Sequence, residues 1–349
     1  MSIFRNLQGI LTQIPFKYNA IYPVHMNACL IRLLSYVPAE YGPERDPAPL
    51  YFNPEVQSLL KSLTRVNLDR VFRKRKLGDK ALEIPTYKFM TDEQLQETIE
   101  EAKKRADELL QMPPVVQVRK PIDRIIVKDP ALQGLDSSRH IFTDVSFGIK
   151  DSDRLIVIRE PDGTLKEADW AVRDRMNQLY FPKPCRSLKM PRLFQEEYLS
   201  NLLSHKEYIF VLDRACTQFE PDNPDYQRVT SITYQHINDN DDFEILRSTR
   251  HFGPLAFYLT WFKNIDNLLL ELIETAHIDN ANNLLQLYGK IHSVQYNTQE
   301  LQSLEGITEY IKTAAQKKGP LELAVQAYKD LERQRNELKQ GIQVAHGLA

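Results

Sequence analysis

Four places in the 349-residue chain gather residue types that could do chemistry. Cys185 stands between Lys183 and Arg186, and neighbouring cations favour a thiolate. A nucleophile of that kind needs an oriented base; His205 is the nearest histidine, and nothing in the sequence orients it. Asp136-Ser137-Ser138-Arg139-His140 holds the residue types of a hydrolase triad, but adjacent positions cannot converge on one substrate atom. A polar turn ahead of a strand accounts for it. Asp239-Asn240-Asp241-Asp242-Phe243-Glu244 opens like a calcium loop, yet Phe243 stands where a liganding oxygen is required and the turn glycine is missing. It reads as a solvated loop. The fourth place is a pair of basic runs.

Arg70-Val71-Phe72-Arg73-Lys74-Arg75-Lys76 packs five cations into seven residues. Between Lys61 and Lys80, eight basic residues face only Asp69 and Asp79, a local charge of +6. The second run, Lys183, Arg186, Lys189 and Arg192, contains no acid and follows Tyr180 and Phe181. Such runs bind phosphate through counterion release, and guanidinium planes also stack on unpaired bases. A solvated basic loop is the plain alternative for each. Arg247 and Arg250 flank Ser248-Thr249 and are open to phosphate or to the acidic run just upstream. These cations are the candidate RNA contacts. With 12 glycines, the chain has neither a G-x-x-x-x-G-K-[ST] nor a G-x-G-x-x-G phosphate cradle. Its three cysteines, Cys29, Cys185 and Cys216, lie far apart, and no two histidines stand four residues apart, so no zinc set emerges. No catalytic residue, metal or cofactor is expected.

The elements that position these residues are mostly helical. Asn53 and Pro54 predict a helix start, with Val56, Leu59, Leu60 and Leu63 as its stripe. Thr91 and Gln94 form a capping box for a helix carrying Leu95, Ile99, Ala102, Ala106 and Leu109, ended by Pro113-Pro114. The period then shifts: Arg124 to Lys128, Ile141 to Phe147 and Arg154 to Arg159 read as strands, and Pro161-Asp162-Gly163-Thr164 turns the last of them back through Leu165. A small antiparallel sheet follows, and Asp169 caps a helix with Trp170, Met176 and Leu179. Beyond the basic connector Pro182 to Pro191, short antiparallel helix pairs dominate. Ile265 to Ala276 and Ala281 to Ile291 form one hairpin, broken at Ile278-Asp279. A final helix over Pro320 to Gln340 has Ala324, Tyr328, Leu331 and Leu338 as its seam. The expected fold class is α+β, mainly α, divided as 1–34, 35–53, 54–115, 116–182 and 183–349.

The first of those segments is an address. Glu40 is the first acid, and the residues ahead of it carry Arg5, Lys17 and Arg32. An acid-free stretch with Ile3, Leu7, Ile10 and Leu11 at helical spacing has the character of a mitochondrial transit peptide, against the plain alternative of an N-terminus that lacks acids by chance. Arg32-Leu33-Leu34-Ser35 has the order of a matrix-processing site, with cleavage expected after Leu34 to leave Ser35 first. Five prolines from Pro38 to Pro54 then predict an extended arm that gains order against something else. The whole chain carries a net charge of −2, so any RNA contact must come from local patches. No apolar run reaches the length of a membrane span.

Several of these stretches together resemble the animal mitochondrial small-subunit ribosomal protein family numbered twenty-two. They include Pro85-Thr86-Tyr87-Lys88, Met112-Pro113-Pro114-Val115, Phe142-Thr143-Asp144, Arg159-Glu160-Pro161 and Gly163-Thr164-Leu165. Arg173-Asp174-Arg175-Met176, Tyr180-Phe181-Pro182, Gln218-Phe219-Glu220-Pro221-Asp222, Leu246-Arg247-Ser248-Thr249-Arg250 and Gln286-Leu287-Tyr288 continue the series. The likeness covers roughly residues 50 to 292 and thins after His292. It implies a noncatalytic part of the mitochondrial ribosome, in the lower body of the small subunit. The expected partners are small-subunit rRNA and neighbouring ribosomal proteins in the mitochondrial matrix, not a second copy. A free matrix adaptor that binds another protein through its helical pairs is the alternative.

Overall fold

Side-chain caps mark the start of five of the described α-helices. The computed structural model describes residues 41–42, 44–73, 87–135, 137–296 and 303–345. After the single turn α1 (Ala48–Tyr51), the Asn53 side chain accepts from the Glu55 N–H and Pro54 takes the first position of α2 (Pro54–Thr64). Asn67 caps the short α3 (Leu68–Val71) in the same way. Both bonds of the Thr91–Gln94 capping box are made at the start of α4 (Asp92–Leu109). Lys74, Arg75 and Lys76 lie outside the described residues, as do Arg32, Leu34, Ser35 and the whole presumed presequence.

Residues 41–42 and 44–53 of the expected arm pack against the chain's own helices. Tyr41 and Tyr51 are buried, the Tyr51 hydroxyl donates to Pro113 O at 2.8 Å, and the Tyr41 ring meets Tyr258, Trp261 and Phe262. Two rings that each bury on the order of 150–250 Å² hold the proline-rich stretch to the core.

Four strands, β1 (Ile125–Lys128), β2 (His140–Thr143), β3 (Ile156–Arg159) and β4 (Thr164–Glu167), make an antiparallel sheet in the order β1-β4-β3-β2. The second strand stops at Thr143, short of the expected Phe147, because the Asp144 carboxylate accepts from the Ser146 N–H and turns the chain. Gly163 closes the β3–β4 turn at φ +80°, and a Cβ there would meet Asp129 O at 2.1 Å, so only glycine fits. Asp169 caps α5 (Trp170–Tyr180) by accepting from the Val172 N–H. Ile156, Ile158 and Ala168 pack under Val172 and Met176 of that helix, which covers one face of the sheet.

The remaining helices are α6 (Glu196–Ser204), α7 (Tyr208–Gln218), α8 (Pro224–Asp239), α9 (Phe243–Leu246), α10 (Phe252–Trp261), α11 (Asp266–Glu274), α12 (Ile278–His292), α13 (Glu305–Thr313) and α14 (Lys318–Ala345). With α2 they enclose the main apolar core, in which α10 is the central rod and packs against α2, α8 and α12. Helices α11 and α12 form the expected hairpin. Its break falls at Thr275–His277, ahead of the expected Ile278, because Ala276 takes a left-handed φ of 59° and Ile278 is buried as the first residue of α12. The fold is α+β and mainly α.

Candidate RNA and protein contact surfaces

The structure sorts the candidate cations by what already holds them. Arg247 is 2% exposed. It donates to Leu63 O at 2.5 Å and to Glu271 Oε2 at 2.7 Å, with its guanidinium 4.0 Å from the centre of the Phe252 ring. Burial pulls its pKa down to about 10, opposed by the attraction of Glu271. This arginine ties α2 to α9–α11, and its guanidinium is not presented to a phosphate. Arg250 donates through Nε and Nη2 to Asp213 Oδ1 at 3.0 and 2.6 Å, and the buried His251 shares that oxygen at 2.9 Å. Burial keeps the His251 imidazole below its ordinary pKa, against the pull of Asp213.

The first basic run divides. Arg70 donates to Glu244 Oε1 at 2.7 Å, and Arg65 reaches the same carboxylate at 3.2 Å. Arg73 is exposed and has no ion pair among the described residues. The second run divides likewise. Lys183 Nζ lies 2.7 Å from Glu220 Oε1 and 3.0 Å from Asp151 Oδ2, and Arg186 donates to the same Glu220 oxygen at 2.9 Å. Burial works to raise the Glu220 carboxyl, but the hydrogen bonds from Lys183 and Arg186 outweigh it and hold the group below the usual carboxylate range. Lys189 and Arg192 are exposed, with no ion pair among the described residues. The run therefore brings its first two cations together on one acid and leaves the last two facing water.

The acidic run is used by the chain itself. Asp242 accepts from Lys206 at 2.6 Å and from the Tyr208 hydroxyl at 2.8 Å, while Glu244 takes Arg65 and Arg70. Cys185 is exposed at φ 62°, and its carbonyl accepts from Arg214 at 2.6 Å. Arg139, from the triad-like stretch, is spent on Glu160 at 2.7 Å. An open cleft of about 900 Å³ runs between the 116–120 segment, α5 and the 183–186 connector. Its charged lining sets Arg119, Lys120, Lys150, Lys183 and Arg186 among Asp151, Asp174, Glu220 and Asp222, so the two signs nearly balance. Arg119 is held there by Asp174 at 2.5 Å and by the Trp170 ring at 4.6 Å.

Sequence reasoning missed the apolar surfaces. All four residues of β1 are exposed, with Ile125 at 62% and Val127 at 55%, although the strand reads Ile-Ile-Val-Lys. On the sheet face away from α5, Phe142 of β2 is 49% exposed opposite Val157, with the Arg159 guanidinium 5.9 Å from its ring. Val145 and Leu135 are exposed as well, whereas the exposed Phe147 lies edge-on to Phe181 at the end of α5, 5.7 Å away. Helix α4 repeats the pattern: Leu95, Ile99 and Leu109 of its predicted stripe are exposed and Ala106 alone is buried. The signal in sequence was β1 itself, whose apolar run lacks the polar alternation of a strand with one wet face. Exposed apolar side chains on three such elements are candidates for contact with other molecules.

Comparison with known proteins follows the same lines. A family described as mitochondrial 28S ribosomal protein S22 matches residues 49–293. The small ribosomal subunit protein mS22 of Bos taurus is 40% identical over 297 residues, covering 84% of this chain and 82% of the relative. Its counterpart of the same name in Mus musculus is 40% identical over 305 residues, covering 86% and 84%.

Proposed function

Because the chain belongs to the mitochondrial 28S ribosomal protein S22 family, we infer that it is a structural constituent of the mitochondrial small ribosomal subunit. The observation that carries this is the likeness itself, which runs through both the sheet and the helical core. The free-adaptor alternative has no support in relatives that are named as subunit proteins. The family points to a structural, not an enzymatic, role, to a mitochondrial location, and to rRNA and ribosomal proteins as partners. No described helix is long and apolar enough to cross a membrane.

The finer reading is that the protein sits in the matrix, in the lower body of the subunit, as one copy wedged among proteins and touching rRNA at a few points. Exposed Arg73, Lys189 and Arg192, without ion pairs among the described residues, support the RNA contacts, and Lys74, Arg75 and Lys76 join them on charge alone. The exposed faces of the sheet and of α4 support the protein contacts. In this reading residues 1–34 are removed at Leu34, and the sheet region to residue 182 and the helical region beyond it act as separate contact modules. The test is sedimentation of mitochondrial extract through a salt-washed gradient. The protein is expected to travel with the small subunit, and retention near the top would overturn the assignment. Charge reversal at Arg73, Lys74, Arg75 and Lys76 is expected to lower crosslinking to rRNA within that particle.

A further inference from the structure

Helix α14 spans 28 residues, about 42 Å at 1.5 Å per residue. Its root is fixed. The Asp266 carboxylate accepts from the backbone N–H groups of Gln316 and Lys317 at 2.8 Å each, and from the Tyr310 hydroxyl at 2.7 Å. Lys317 Nζ adds a bond to Asn267 Oδ1 at 2.6 Å. Leu321, Ala324 and Val325 are buried, and the first half of the helix packs on α11 and α13. From Leu331 to Gly341 every residue is exposed. The fold thus aims a rigidly rooted rod into solvent.

The exposed half keeps the pattern of the buried half. Ala324, Leu331 and Leu338 fall seven apart, and Leu321, Tyr328 and Arg335 precede each of them in turn, which gives the alternating three- and four-residue steps of a heptad. Ala324 is 9% exposed, Leu331 53% and Leu338 67%, so one seam begins inside the protein and continues uncovered. A stripe of that spacing is matched by another α-helix lying along it. Left bare, so short a helical extension is marginal in water, because most helical stability in proteins comes from tertiary packing.

The charges say which helix. From Lys329 to Lys339 four cations alternate with Asp330, Glu332 and Glu337, and Arg333 is already 3.2 Å from Asp330. Interleaved acids disfavour a phosphate backbone. Arg335 stands on the seam between the two leucines. A second copy aligned in parallel would set arginine against arginine, and an antiparallel copy would set it against leucine.

We propose that the distal half of α14 docks along an amphipathic helix of a neighbouring protein, one that covers Leu331 and Leu338 with apolar residues and sets an Asp or Glu against Arg335. This rests on the ribosomal reading above for where the neighbour is found, although the seam itself lies beyond the matched residues 49–293.

The test places a photo-crosslinking phenylalanine derivative at position 331 and, separately, at 338 of the full chain in mitochondria, with the adduct mapped by mass spectrometry. The expected adduct is one protein segment with apolar residues three and four apart and an acid in the facing register. Arg335→Glu should reduce its yield at least tenfold, and reversing the partner's acid to Lys should restore it. Adducts to RNA, adducts to a second copy, or no adduct each overturn the proposal. Gradient position of the same chain is read in parallel. A chain found in the subunit without the adduct refutes the docking alone, whereas a chain absent from the subunit refutes the ribosomal reading.

Discussion

In α10 every residue from Phe252 to Thr260 is buried, whereas in β1 all four residues are exposed, although both segments are rich in apolar side chains. The helical region turns its apolar surface inward and spends its arginines on its own acids and carbonyls, as Arg247 does on Glu271 and Leu63 O. The sheet region covers one face with α5 and leaves the other, with both outer strands, in water. The same residue types therefore do two jobs. In the helices they fold the chain, and in the sheet and α4 they are available to whatever the folded chain joins.

That contrast is sharpest at two phenylalanines. Phe257 is fully buried, edge-on to Tyr51 at 5.1 Å and stacked near Trp261 at 5.7 Å. Phe257→Ala is expected to cost about 3–5 kcal/mol, the usual loss for a truncated core aromatic. Urea denaturation of the purified chain measures it. A loss under about 1 kcal/mol would mean the helical core is loosely packed, and the contrast with the sheet would fail.

Arg247→Met asks whether a buried cation belongs to the fold or to a ligand. Removing one partner of a buried pair costs about 3–5 kcal/mol, and the low end is expected here because Arg65 stands 3.6 Å from Glu271 and remains to screen it. If stability holds while rRNA crosslinking drops, Arg247 is a contact residue and the division drawn here is misplaced.

Much of this was legible in sequence. Asn53, Thr91 with Gln94, and Asp169 announced their helices because a cap acts over three residues, and Gly163 announced its turn. The fate of the arginines was not, because the partners of Arg247 lie 24 and 184 residues away and no local pattern encodes them. Exposure of the α4 stripe was equally out of reach. Periodicity shows that a helix has an apolar face, and it does not say whether that face meets the same chain or another.

Glu220 anchors the connector between the two regions, since it takes Arg186 together with Lys183, which also reaches Asp151 on the sheet side. Its folded pKa is lowered, so its contribution is fully present above the ordinary carboxylate range and is lost as pH falls through the lowered value. Because the pair is partly exposed, the effect is expected to be about 1 kcal/mol at neutral pH. Glu220→Gln should therefore lower the thermal midpoint slightly at pH 7, and the deficit should shrink as the pH falls below the ordinary carboxylate range. A deficit that does not change with pH would mean that packing, not charge, holds the connector.

The smallest effect on stability is expected where the sheet meets water. Val127→Ser with Phe142→Ser removes two apolar side chains from the uncovered face, opposite Leu165 and Val157. Surface changes away from packed groups usually fall within about 0.5 kcal/mol, so the purified variant should unfold at nearly the urea concentration of the parent. Its incorporation into the small subunit, read from the same salt-washed gradient, should nevertheless fall, because surface that contributes little to the isolated fold contributes more on binding once a neighbour excludes water from it. Two results would break the argument. A large loss of stability in the free chain would make Phe142 a folding residue. Full incorporation of the doubly substituted protein would leave the open sheet face without a role, and the apolar stripe of α4 would then be the surface that holds this chain among its neighbours.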